Sequence, residues 1–218
     1  MKAVIFDMDG VLVDTNKAHY EAFLKVCQKR GLTFEYDDYD SVKGMHRHEI
    51  AETIYKNNGR TYTSRDIEHF SNEKNSCYQT LVEEMDETVI LPGIIAFIHD
   101  LKANGMKLAV ASSSTNVKRV LHQVGLLSYF DYVVDPTTLA NGKPDPEIFL
   151  KACEQLHCSP NDCVAIEDGL AGMQAIKKTD MYAIGVGDTK GLEQADWHVK
   201  DTSELTYERF LEQLAICT

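Results

Sequence analysis

The chain has 218 residues, 44% of them hydrophobic and 26% charged, with a formal net charge of −12. That length and composition suit a globular core with room for a smaller insertion. The negative balance repels a phosphate backbone, which argues against sequence-independent nucleic-acid binding.

No apolar run approaches the length of a membrane span, and Asp7 and Asp9 break the first apolar stretch early. Neither a membrane segment nor an export signal is therefore expected. The six cysteines, Cys27, Cys77, Cys153, Cys158, Cys163 and Cys217, form no C-x-x-C pair. They read as reduced thiols of a cytoplasmic protein, not as a disulfide frame or zinc site.

In chain order, residues 2–6 form a short apolar run without polar alternation, the pattern of a strand buried on both faces. The stretch 15–88 breaks away from that pattern and reads as consecutive helices over 15–30, 46–57 and 63–85, with Gly31 and Gly59 as stops. Further buried strands follow at 107–112, 163–167 and 182–186. Helix-period segments at 92–104, 116–124, 146–157 and 170–178 alternate with them. Strand–helix alternation of this kind predicts an α/β, doubly wound, Rossmann-like parallel sheet. The expected organisation is a core of 1–14 and 89–218 with a small helical domain, 15–88, inserted. No internal repeat is visible.

Four features stand at the carboxyl ends of predicted strands, where open α/β sheets place their ligands. Phe6-Asp7-Met8-Asp9-Gly10 follows the first strand. Residues two apart on an extended chain share a side, so Asp7 and Asp9 could line one pocket; a hairpin turn at Asp9-Gly10 is the plainer reading. Ser112 to Asn116 ends the second strand at a helix mouth, where hydroxyls and N–H groups can hold phosphate or simply cap the helix. Gly142-Lys143-Pro144-Asp145-Pro146 fixes the backbone around one lysine and lacks the flanking residues of a P-loop. Glu167-Asp168-Gly169 places two acids at a buried strand end, costly unless they pair or bind a cation. Together with Asp7 and Asp9 they offer an all-oxygen site suited to Mg²⁺ and not to zinc. A carboxylate nucleophile, a hydroxyl, a lysine and metal-binding acids make up a phosphoryl-transfer set. Gly185-Val186-Gly187 lacks the third glycine of a dinucleotide site.

The ordered set DMDG, SSS, GKPDP and EDG resembles the haloacid dehalogenase superfamily of phosphotransferases across essentially the whole chain. The insertion after the first motif resembles its class I cap. Val13-Asp14-Thr15 with His19, Lys43-Gly44-Met45-His46-Arg47, Glu73-Lys74-Asn75, and Asp135 to Leu139 are similar to the β-phosphoglucomutase family. So is Asp201 to Leu205.

The resemblance implies that Asp7 carries an aspartyl-phosphate and that Asp9 exchanges protons with the sugar oxygens. Mg²⁺ would be held by the Asp7 side chain, the Asp9 carbonyl and Asp168, with Glu167 directly or through water. Ser112 and Lys143 would neutralise the transferring oxygens. Thr15, His19, Lys43, Gly44, Met45, Arg47 and Lys74 of the cap would contact the sugar phosphate or hold the closed state. Ser114, Thr115 and Asn116 would line the distal phosphate pocket. Apart from the resemblance, His19 reads as a surface histidine and Lys74 as a solvated lysine.

The implied reaction interconverts β-glucose 1-phosphate and glucose 6-phosphate through glucose 1,6-bisphosphate, in a monomer. Two positions depart from the family pattern. His46 stands where members often carry serine, and Thr115 where they carry a basic residue. A missing cation would weaken bisphosphate binding by roughly 1 kcal/mol or more, which keeps a sugar-phosphate phosphatase as the alternative. A catalytically silent magnesium-binding domain is a third reading, but it would be expected to lack Asp7 or Lys143, and both are present.

Overall fold

The computed structural model describes residues 1–42, 45 and 47–216. The chain divides into two compact units, Met1–Asp14 with Asp86–Thr218, and Thr15–Met85.

The larger unit is built on six strands: β1 (Ala3–Phe6), β2 (Lys107–Val110), β3 (Tyr132–Val133), β4 (Cys163–Glu167), β5 (Tyr182–Val186) and β6 (Trp197–Val199). Their order is β3-β2-β1-β4-β5-β6, and each neighbouring pair is parallel. The chain grows outward to one side from β1 and to the other from β4. The switch point therefore lies between these two strands, where a parallel sheet opens a crevice at its carboxyl edge. The observed sheet matches the doubly wound expectation.

The uniform apolarity of β1 follows from burial on both faces. Ala3 and Ile5 pack with Phe149 and Ala152 of helix α7 (Glu147–Leu156) and with Met173 and Ile176 of α8 (Leu170–Ile176). On the other face Phe6 meets Phe97 of α5 (Ile94–Ala103) edge to face at 6.3 Å, and Phe97 meets Phe210 of α9 (Tyr207–Ile216) at 5.6 Å. Helix α6 is Val117–Gln123. The second strand ends at Val110, short of the expected 112, leaving Ala111 and Ser112 at the mouth of the crevice. Asp9-Gly10 is not a hairpin, because both neighbours of β1 are parallel strands from later in the chain.

The smaller unit holds α1 (Asn16–Lys29), α2 (Tyr36–Val42), α3 (Arg47–Asn57) and α4 (Ser64–Glu83). Phe23, Val26 and Cys27 of α1 pack with Ile50 and Ile54 of α3 and with Ile67 and Phe70 of α4. The start of α4 is set by a capping box: Asp66 N donates to Thr63 Oγ1 at 3.3 Å and Thr63 N to Asp66 Oδ2 at 2.8 Å. This arrangement satisfies two otherwise orphaned donors. Glu73 ties α4 to the end of α1 through Lys29 and Arg30.

Cys27, Cys77, Cys153, Cys158 and Cys163 are free thiols, including Cys153 and Cys163, whose sulfurs approach to 3.2 Å. Among the described residues no helix is long and apolar enough to cross a membrane.

Candidate active site

Register assembles the site. Phe6 pairs with Val110 on one side and Ile166 on the other, so Asp7, Ala111 and Glu167 begin at the same edge of the sheet. Asp7 N still donates to Ile166 O at 2.9 Å, which holds the Asp7 backbone to β4 as β1 ends. The chain then coils: Met8 O accepts from the N–H groups of Val11, Leu12 and Val13, and Gly10 N donates to Val13 O.

Lys143 reaches into this edge from its loop. Its Nζ lies 2.6 Å from Asp7 Oδ1 and 2.8 Å from Glu167 Oε2, with the side chain only 8% exposed. The ammonium also sits 5.0 Å above the Phe149 ring. Glu167 is held on its other oxygen by the N–H groups of Asp168 (3.2 Å) and Gly169 (3.0 Å). Oxygens of Asp7, Glu167 and Asp168 gather within 4.8 Å of one another. Asp9 is half-buried and its side chain stands outside that cluster, because β1 ends at Phe6 and the period of two does not carry through the coil.

Burial pushes the Asp7 carboxyl up to about 7; Lys143 pulls against that rise and Glu167 adds to it. Burial alone would lower Lys143, but the two carboxylates outweigh it and hold the ammonium above the usual lysine range. Three carboxylates facing one ammonium leave two negative charges uncompensated, the deficit one divalent cation balances. All the donors are hard oxygens, so the cluster fits a magnesium-type ion and not zinc.

Two glycines give the acids room. Gly10 has φ +77, and a Cβ there would fall 2.0 Å from Asp168 Oδ2. At Gly172, inside α8, a Cβ would fall 1.9 Å from Glu167 Oε2. Gly172→Ala separates two effects. Helix propensity alone predicts stabilisation by about 1 kcal/mol. Displacing Glu167 from Lys143 predicts a net loss of about 2 kcal/mol or more, in keeping with breaking a buried pair. Chemical denaturation should show the loss, with activity falling alongside it.

Ser112 is buried, and its Oγ accepts from Ser114 N at 3.1 Å; Ser114 Oγ accepts from Asn116 N at 3.2 Å. Asn116 is buried, Ser114 half-buried and Thr115 exposed.

The cap residues are described within their own unit. Thr15 is buried at the start of α1. His19 is not a free surface histidine: its ring stacks on Tyr78 at 4.0 Å, and its Nδ1 lies 2.7 Å from Lys74 Nζ. Burial first, then Lys74, holds the imidazole well below its usual range. Nor is Lys74 solvated; it is 4% exposed, with Nζ 4.5 Å from the Phe23 ring centre and 4.7 Å from that of Tyr78. Arg47 donates to Asn75 Oδ1 at 2.9 Å, and Met45 is exposed. Lys43, Gly44 and His46 lie outside the described residues. Sequence reading passed over Gly172, although a glycine inside a helix asks for a packing reason. It also passed over Glu147, which looks like an ordinary acid at a helix start.

Comparison with known proteins agrees with this geometry. Residues 1–180 match the family model described as haloacid dehalogenase-like hydrolase. The chain is 41% identical over 215 residues to the β-phosphoglucomutase of Bacillus subtilis (strain 168), covering 98% of this chain and 95% of that one. It is 32% identical over 191 residues to the phosphorylated carbohydrates phosphatase of Thermotoga maritima, covering 84% of each. The crystal structure of β-phosphoglucomutase from Clostridium difficile superposes with a TM-score of 0.91 at 34% identity, covering 100% of this chain and 98% of that one. The protein is thus an enzyme of phosphotransferase or phosphatase type that works through an aspartate nucleophile. The chain belongs to the haloacid dehalogenase superfamily, as a class I cap member closely related to β-phosphoglucomutase.

Proposed function

We propose that the chain is a magnesium-dependent mutase interconverting β-glucose 1-phosphate and glucose 6-phosphate through a bound bisphosphate. The observation that carries the reading is the buried Lys143 held between Asp7 and Glu167 beside the carboxylate of Asp168. Identity of 41% across nearly the whole chain to a protein named as a mutase supports that activity over simple hydrolysis.

In this reading Asp7 attacks phosphorus, the bond from phosphorus to the sugar oxygen breaks, and Asp9 gives that oxygen its proton. In the second half Asp9 takes the proton from the incoming hydroxyl as the phosphoryl group leaves Asp7. Mg²⁺, held by Asp7, Asp168 and the Asp9 carbonyl with Glu167 directly or through water, would neutralise charge on the transferring group. Lys143 and Ser112 do the same from the protein side. Ser114, Thr115 and Asn116 serve the distal phosphate. The cap's Thr15, His19, Lys43, Gly44, Met45, Arg47 and Lys74 bind the sugar phosphate and exclude water while the intermediate turns. A monomer in the cytoplasm is the state we assign.

One observation favours the second reading, a sugar-phosphate phosphatase. Thr115 is exposed and uncharged, and a phosphatase of carbohydrates is among the relatives. Product partition decides between them. With Mg²⁺, β-glucose 1-phosphate and a trace of glucose 1,6-bisphosphate, sugar 6-phosphate should form about tenfold or more faster than free phosphate, a gap of roughly 1.4 kcal/mol in barrier. Phosphate release as fast as isomerisation would establish the phosphatase.

A further inference from the structure

Lysine is a flexible side chain, and an ammonium that must meet two buried carboxylates at once needs its backbone held. The loop that carries Lys143 has little backbone pairing of its own. Within it Asp145 N donates to Gly142 O at 2.9 Å. The remaining ties come from side chains, above all from Glu147. This residue opens α7 and turns its carboxylate back across the loop. Oε1 accepts from Ala140 N at 2.9 Å and Oε2 from Asn141 N at 2.7 Å. Asp145 Oδ1 in turn accepts from Glu147 N at 3.0 Å, and Lys178 Nζ donates to Pro144 O at 2.6 Å. Those backbone bonds hold the Glu147 carboxyl below its usual range, so both oxygens remain acceptors at neutral pH.

We propose that Glu147 is the positioning residue for Lys143. It closes residues 140–147 into a loop, fixing the point from which the lysine reaches Asp7 and Glu167. The same helix supplies Phe149, over whose ring the ammonium lies. Glu147 and Phe149 thus set the base and the path of one side chain. The proposal rests on the reading that Lys143 serves phosphoryl transfer. A plainer role exists: an acid in the first turn stabilises a helix through its dipole, whatever else it touches.

The two roles differ at Lys143. In Glu147→Gln one acceptor oxygen becomes an NH₂ donor facing a backbone N–H, so the two-point clasp is lost while the residue keeps its size. Two readouts are needed. Hydrolysis of p-nitrophenyl phosphate should fall on the order of tenfold in kcat, with KM changed less than about twofold, because orientation and not binding is lost. Acetic anhydride labelling of Lys143, read by mass spectrometry, should rise several-fold as the ammonium leaves its pocket. Glu147→Asp, which keeps the charge but shortens the reach, should be intermediate in both and serves if the glutamine variant folds poorly. Unchanged Lys143 labelling in both variants would overturn the positioning role, whatever turnover does. Raised labelling with full turnover would overturn the proposal at the other end, by removing Lys143 from the transfer step.

Discussion

Asp7→Asn should fold normally and lose turnover by a factor on the order of 10⁴ or more, the scale seen when a nucleophile is removed. Its amide has the shape of the carboxylate but cannot form the acyl phosphate. The stability side of the expectation comes from the charges around it. Asp7 is a buried carboxylate whose pKa is raised by burial and by Glu167, so its charge is held at a cost that Lys143 offsets only in part. Removing that charge leaves Lys143 paired with Glu167. In metal-free buffer the variant should therefore melt at the wild-type temperature or above it. Turnover and thermal melting on the same preparation check both halves, once mass spectrometry excludes deamidation back to aspartate. Retained turnover would remove Asp7 from the nucleophile's role.

Lys143→Ala should have the second largest effect, and here activity and stability fall together. Transition-state charge loses a fixed donor in a dry site, which costs on the order of 10²–10³ in kcat. The fold loses the only basic side chain ion-paired, among the described residues, with Asp7 and Glu167. Leaving both carboxylates buried without it should destabilise the metal-free protein by about 3 kcal/mol. Lys143→Arg should recover little activity, because the planar fork does not fit between two oxygens that lie 2.6 and 2.8 Å from one ammonium nitrogen. Full activity in the alanine variant would make the lysine a structural counter-charge.

These opposite stability signs, at two residues that touch, are a sharper check on the site than either loss of activity. They follow from the same arrangement, a cluster with more negative than positive charge.

The parallel sheet was legible because β1, β5 and β4 up to its terminal Glu167 carry no polar alternation, as strands covered on both faces must. The edge strands were not. Tyr132–Val133 and Trp197–Val199 are too short to show any period. Helix α2, of sequence YDDYDSV, buries Tyr39 and Val42 among its described side chains, too little to display a period, whereas α9 went unread although Tyr207, Phe210 and Leu214 stand at helical spacing. At the site, Asp7, Lys143, Glu167 and Asp168 could be singled out since each ends or follows a strand or sits in a proline-fixed loop. What pattern could not give was contact. That Lys143 joins Asp7 to Glu167, that Gly172 leaves space for Glu167, and that Glu147 clasps Ala140 and Asn141 all depend on the packing of α7 and α8. The burial of Lys74 against His19 and two aromatic rings is of the same kind: a lysine in a polar-looking helix becomes interior only once α1 lies beside α4.

The most direct test of the account is to trap the intermediate. Purified protein is charged with β-glucose 1,6-bisphosphate and Mg²⁺, quenched, reduced with borohydride, digested and sequenced by mass spectrometry. Borohydride converts an aspartyl-phosphate to homoserine with release of phosphate, and leaves free carboxylates untouched. The account predicts homoserine at position 7, aspartate at position 9, and no conversion when the bisphosphate is omitted. Homoserine at position 9, or at neither position under turnover, would contradict it.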